Sequence, residues 1–224
     1  MATNHNFLFS VQVYFQTSEK IIIFVEMKIK MKKLIFATNN KHKVDEIRHL
    51  IGFMYDVCSV GDLNFYDEIP ENQTTLEGNA LEKARFIYQK FGLPCFADDT
   101  GLEIDALNGE PGVFSARYAG EEKDSLKNIK KVLEKMENND NRNACFRCVI
   151  ALIINDEEYL FEGKVNGKIL RTPAGEGGFG YDSIFEVDGY NISFAQMTMS
   201  EKSKISHRGK AIEKLVEFLK TEYN

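Results

Sequence analysis

The sequence predicts an α/β fold built on a mixed β-sheet, and three observations predict it. Short apolar runs alternate with helical periodicity in the first half of the chain. Two long strand-like segments follow one another in the second half, and a helix closes the sequence. Hydrophobic residues make up 43% of the 224 residues, enough for a sizeable core, and the 28% that are charged mix both signs, as in a soluble globular domain.

The elements follow in order. KKLIFATN is an apolar run that ends in turn formers, the pattern of a buried strand. In NKHKVDEIRHLIG, Val44, Ile47, Leu50 and Ile51 fall at helical spacing, with Asn40 able to cap the start and Gly52 able to end it. A second helix covers TTLEGNALEKARFIYQKFG. Leu76, Ala80, Ala84, Ile87 and Phe91 line one face, Thr74 with Glu77 offers a capping box, and Gly92 a stop. LPCFADD is a strand that ends in two aspartates. A third helix is expected near 124–136, with Leu126, Ile129, Leu133 and Met136 in phase. ACFRCVIALII and EEYLFEGKVNGKIL read as long paired strands, YDSIFEV as another strand, and Ile212, Leu215, Val216 and Leu219 mark the last helix.

Charge and cysteine content narrow the function classes. A net charge of −6 is not the basic excess of a nucleic-acid binder, although a small anionic ligand can be held where positive charge gathers locally. Cys145 and Cys148 are the only C-x-x-C, and on a strand residues three apart face opposite ways. The four cysteines therefore read as reduced structural residues of a cytoplasmic protein. In the first 30 residues, IIIFVEM is far short of the roughly 18 residues of a membrane span, and no basic region precedes it as in a signal peptide. MKKLIFATNN starts afresh at Met31. Residues 1–30 are read as an extension outside the fold, and residues 31–224 as the functional domain.

Four stretches carry candidate chemistry. Gly175, Gly177 and Gly180 match G-x-G-x-x-G, but a dinucleotide fingerprint needs a helix after the last glycine, and strand-like YDSIFEV follows. The glycines are read instead as letting backbone approach a ligand beside Phe179 and Asp182; a plain hairpin turn is the alternative. TNNKHK lies at a strand-to-helix junction, where free N–H groups attract anions. Thr38, Asn39 and Asn40 can donate, and Lys41 and Lys43 bring charge; an ordinary capped helix is the alternative. Asp98 and Asp99 are adjacent carboxylates that repel without a counter-charge. Mg²⁺ is a natural remedy, with Glu71 as a further ligand; a solvated turn is the alternative. Lys202, Lys204, His207 and Arg208 gather before the last helix, where a solvated basic stretch is the alternative. Taken together, these are the parts needed to hold the phosphates, metal and base of a nucleoside triphosphate.

In these stretches the sequence resembles the inosine/xanthosine triphosphate pyrophosphatase family. FATNNKHK, ENQTTLEGNALEKA, FADDTGLEIDALNGEPGVFSARYAG, PAGEGGFGYDSIF and EKSKISHRGKA occur in the family's order over about residues 32–220. The resemblance implies a two-lobed α/β fold with a long mixed sheet flanked by helices and the active site in the cleft between lobes. It also implies a homodimer. The activity implied is Mg²⁺-dependent hydrolysis of ITP, dITP and XTP to the monophosphate and pyrophosphate. Asp99 is then the catalytic proton acceptor, and Glu71 with Asp99 the metal ligands, with Asp98 in support. Substrate is met by Thr38, Asn39, Asn40, Lys41, His42 and Lys43 around the phosphates. Thr100 also touches substrate, Phe179 stacks on the base beside Gly180 and Tyr181, and Asp182, Lys202, His207 and Arg208 surround the base. Asn39 stands where many relatives carry glycine, and asparagine tolerates a left-handed φ. A nucleotide-sensing module without catalysis and a nicotinamide oxidoreductase are the readings from other classes.

Overall fold

The apolar run Lys32–Phe36 forms β1, whose Leu34, Ile35 and Phe36 are buried. The computed structural model describes residues 31–222; the expected extension at 1–30 lies outside the described residues. The helix α1, Lys41–Ile51, follows directly. Its cap is Asn40, whose side chain accepts from the Lys43 amide. Strand β2, Tyr55–Ser59, was not anticipated, because five residues of alternating burial give too short a pattern to separate from a loop. Helix α2, Leu76–Phe91, begins one residue later than the capping box predicts: Thr75, not Thr74, accepts from the Gly78 amide. Gly92 ends it in the left-handed conformation, as expected.

Strand β3 is Cys95–Ile104, with the two-residue β4, Pro111–Gly112, beside it. In helix α3, Ser125–Lys135, Leu126 is 78% exposed against expectation, and Asn128 takes the inward position. The Asn128 amide is satisfied there by the Ala119 N–H and the Ala116 carbonyl. Strands β5, Asn143–Ile154, and β6, Glu157–Ile169, pair over their whole length as predicted. YDSIFEV divides into a 3₁₀ turn at Asp182–Ile184 and a short strand β7, Phe185–Val187. A 3₁₀ turn and then β7, not an α-helix, come directly after Gly180, so the structure excludes the dinucleotide fingerprint. The chain closes with α4, Met199–Ile205, and α5, His207–Glu222.

The sheet runs β2-β1-β3-β5-β6-β7, with β1 parallel to β2 and β3 and the remaining pairs antiparallel. Helices α1 and α5 cover one face of its first half, and α2 the other. A third apolar cluster, with Ile129 and Val132 of α3, Phe185 and Phe194, forms around its second half. Strand β3 runs through all three. Phe96 and Cys95 belong to the first two clusters and Leu102 and Ile104 to the third, so Asp98, Asp99 and Thr100 lie at the seam between them.

Candidate active site

Strand geometry decides the fate of the adjacent aspartates. Successive side chains on a strand point to opposite faces. Asp98 therefore enters the side covered by α1 and α5, and Asp99 the side covered by α2. The expectation that the adjacent carboxylates repel for want of a counter-charge is corrected: each has its own cations. Asp98 is 1% exposed and accepts from Lys43 Nζ at 2.9 Å, from Arg208 Nε and Nη2 at 3.1 Å each, and from the Thr100 hydroxyl at 3.2 Å. Burial pushes its carboxyl up, but Lys43, Arg208 and Lys83 outweigh burial and hold it well below the usual range.

Asp99 accepts from Lys83 Nζ at 3.0 Å and from the Asn79 amide at 3.1 Å. The same Lys83 Nζ lies 2.6 Å from Glu71 Oε1. One buried ammonium thus draws together the two carboxylates that the sequence reading assigns to a metal. Burial raises the Asp99 pKa against the pull of Lys83 and Lys43, which favours a group that accepts a proton. At Glu71, the charge of Lys83 overcomes burial and the carboxyl is lowered.

The charge chain continues beyond Asp98. Arg208 also pairs with Glu46, Glu46 with Lys202 at 2.8 Å, and Lys202 with Asp182 at 2.7 Å. Alternating signs let these groups stay ionised out of water. Glycine makes the approach possible: a Cβ at Gly163 of β6 would lie 2.0 Å from the His207 carbonyl, so α5 can begin this close to the strand because residue 163 has no side chain. His207 is buried and stacks on Phe146 at 4.7 Å. Burial and then the charges of Arg208 and Lys202 push its pKa well below 6.5, so the ring is neutral, and Nδ1 is buried with no hydrogen-bond partner.

One cavity of about 400 Å³ gathers most of the predicted site residues. Thr38, Asn39, Asn40 and Lys43 line it at the start of α1, and Glu71, Asp99, Thr100, Phe179, Gly180, Tyr181, Asp182, Lys202, His207 and Arg208 border it too. Asp98 lies beneath the wall rather than in it. His42 borders a smaller neighbouring cavity instead, and Lys41 borders neither of the two. The Asp182 carboxylate is turned into its own loop, where it accepts from the Phe179 N–H at 2.8 Å as well as from Lys202. Gly178, with φ 72°, has no room for a Cβ beside that carboxylate. Asn39 is not among the described residues with positive φ, so the left-handed conformation expected there is not used. The Thr38 hydroxyl accepts from the Asn40 N–H, which leaves its own O–H to donate.

The sequence pattern of the Ham1 family matches residues 34–218. The chain belongs to the Ham1 family. It is 48% identical over 188 residues to the dITP/XTP pyrophosphatase of Flavobacterium psychrophilum, covering 84% of this chain and 99% of that one. To the dITP/XTP pyrophosphatase of Porphyromonas gingivalis it is 49% identical over 190 residues, covering 84% and 98%. Among solved structures, the Staphylococcus aureus Ham1 protein superposes with a TM-score of 0.77 at 40% identity over 85% of this chain and all of that one. The Coxiella burnetii HAM1 protein gives 0.78 at 39% over 85% and 99%. The α/β architecture with a mixed sheet flanked by helices is the Ham1 fold.

Sequence reasoning missed Lys83, Asn79 and Glu46 in this Ham1-family site. A signal for the first two was present. Leu76, Asn79, Ala80, Lys83, Ala84 and Ile87 form the buried stripe of α2, and a lysine in phase with alanines and isoleucine needs a buried partner. Glu46 carries no such mark, since its cations come from α4 and α5, more than 150 residues away.

Proposed function

We propose that this cavity is the active site of a nucleoside triphosphate pyrophosphatase acting on non-standard purine nucleotides, namely ITP, dITP and XTP, and that the residues described above carry the reaction. One observation carries the reading. Glu71 and Asp99 converge on Lys83 beside the phosphate-binding helix start, in a cavity that also holds an aromatic side chain and a donor cluster.

Two carboxylate oxygens within reach of one Nζ are the hard donors that Mg²⁺ takes. Among the described residues no group of three or more acidic, histidine or cysteine side chains could hold a metal. Glu71 and Asp99 would therefore hold the ion together with substrate phosphates and water, the usual arrangement for Mg²⁺. When bound, the cation neutralises phosphate charge and lowers the pKa of water.

The protein's own groups do the rest. The α1 N-terminus, Thr38, Asn40 and Lys43 bind and orient the phosphates. Lys83 balances Asp99, which takes the proton of the attacking water. The water oxygen joins the α-phosphorus, the bond to the α–β bridging oxygen breaks, and pyrophosphate leaves with that oxygen. Phe179 supplies a stacking face for the base. Around it Lys202 and Arg208 are donors only, each with most of its hydrogens already committed to carboxylates. A 6-oxo purine meets those donors with an acceptor, whereas the adenine 6-amino group meets them donor to donor. His207 adds a neutral ring with an unpartnered Nδ1.

The cytoplasmic location rests on the reduced cysteines, and two further parts of the reading rest on resemblance: a homodimer and a site lying between lobes. The position of Asp98–Thr100 at the seam of the apolar clusters supports the last. Among the described residues no helix is long and apolar enough to cross a membrane.

Turnover of ITP, dITP, XTP, ATP and GTP with Mg²⁺, run once in ¹⁸O-labelled water, tests the proposal. Expected are kcat/KM values for ITP and XTP far above that for ATP, with label in the monophosphate. Equal values for ITP and ATP refute the specificity, and label only in inorganic phosphate refutes attack at the α-phosphorus.

A further inference from the structure

The ring of Phe179 is held from outside the main cavity. The imidazole of His42 lies on it, with centroids 5.2 Å apart and planes 12° from parallel. That spacing is in the range of a stacked aromatic pair, and a purine could enter between the rings only by driving them apart. His42 stands in the first turn of α1, while Phe179 stands in the glycine loop that joins β6 to β7. The contact therefore ties the phosphate-binding helix to the loop proposed to carry the base.

Which side of Phe179 the imidazole covers follows from the cavities. Phe179 borders both the main cavity and the small one of about 140 Å³. His42 borders only the small one, with Gly178, Phe194, Met197 and Met199. The imidazole thus lies on the small-cavity side of the ring, while Arg208, which borders only the main cavity, stands 5.7 Å from the ring centroid and Lys202, which borders both, 4.8 Å. Gly177, Gly178 and Gly180 give the loop backbone freedom and Asp182 pins the Phe179 N–H, while the ring itself is met by the cations of Lys202 and Arg208 and, among the described residues, by one flat partner, His42.

We propose that His42 is a positioning residue for base recognition: it backs the Phe179 ring and fixes its orientation for the purine on the opposite side. The inference rests on Phe179 being the base platform. His42 touches no reacting atom in this arrangement. Its effect falls on binding that is equal in the ground and transition states, so it appears in KM and not in kcat.

Steady-state kinetics on ITP test this with His42→Ala, His42→Phe, His42→Leu, Phe179→Ala and the double variant His42→Ala/Phe179→Ala. His42 is exposed, and none of these changes at position 42 opens the core. His42→Ala is expected to raise KM about 3- to 10-fold, the range of one aromatic pair, with kcat unchanged and the melting temperature lowered by no more than about 6 °C. His42→Phe restores the KM, and His42→Leu, of similar bulk but without a flat ring, does not. In the Phe179→Ala background, removing His42 adds nothing further. An unchanged KM in His42→Ala, equal rescue by leucine, or an undiminished effect of His42→Ala in the Phe179→Ala background overturns the inference. A normal kcat/KM in Phe179→Ala overturns the platform reading itself, and the inference with it. A large loss in Phe179→Ala beside a silent His42→Ala overturns the inference alone.

Discussion

Replacing Lys83 by methionine removes the charge between Glu71 and Asp99 while keeping an unbranched side chain of similar length in α2. Lys83 is 4% exposed, and it pairs with both carboxylates at 3.0 Å or less. Breaking a buried pair on one side leaves uncompensated charge and costs about 3–5 kcal/mol. For a domain of this size each kcal/mol lowers Tm by about 2–4 °C, so a fall of about 6–20 °C is expected at pH 7. The second effect is on titration. Burial already raises Asp99, and Lys83 is the leading opposing influence, so its loss raises Asp99 further. The base must be ionised to accept a proton, and activity disappears as pH falls through its pKa. The acid limb of the kcat/KM profile therefore moves to higher pH in the variant. Protonation of Asp99 also relieves its repulsion with Glu71, and the stability deficit narrows as pH falls through that raised value. Thermal melts and pH–rate profiles of the two proteins measure both effects. An unchanged Tm together with an unmoved acid limb would show that Lys83 does not balance these carboxylates, and would refute the reasoning.

Other outcomes follow from the same geometry. Asp99→Asn is expected to lower turnover by at least ~10²-fold, the scale of a lost general base, with a smaller change in melting than Lys83→Met shows; near-normal turnover in a folded variant removes Asp99 from the chemistry. Asp98 has a depressed pKa, so its contribution to stability is present above the unfolded value of about 3.9 and is lost as pH falls through the folded one. Asp98→Asn should therefore destabilise at pH 7 by about 3–5 kcal/mol, and urea titrations should show the gap to the parent protein closing as pH falls below about 3.9; a gap independent of pH contradicts the pairing. A chain beginning at Met31 is expected to fold and to turn over ITP as the full chain does, and a large loss of activity or solubility would show that residues 1–30 belong to the working protein.

Local signals made most of the elements legible. Helical spacing marked α1, α2 and α5, the Asn40 cap and the Gly92 stop were readable one residue at a time, and the long apolar runs marked β3, β5 and β6. The same locality explains the misses. Leu126 satisfies a helical period but faces water, because Asn128 has hydrogen-bonding partners in the preceding loop that no periodicity reveals. Lys202 and Lys204 sit in α4, which was not separated from α5 because its apolar pattern spans too few turns.

The sequence alone determined which chemistry is available: a polar helix start, two aspartates ending an apolar run, an aromatic among glycines, and a basic segment near the end. Those properties are local, carried by residue type and short spacing. Only the tertiary structure decided how the charges are divided. Strand alternation sends Asp98 to Lys43 and Arg208 and Asp99 to Lys83, although the two are neighbours in sequence. Folding also brings Glu46 of α1 onto Lys202 and Arg208, and His42 onto Phe179. The physical reason is that a buried charge is stable only beside its partner, and which residue is its partner depends on contacts between elements far apart in the chain.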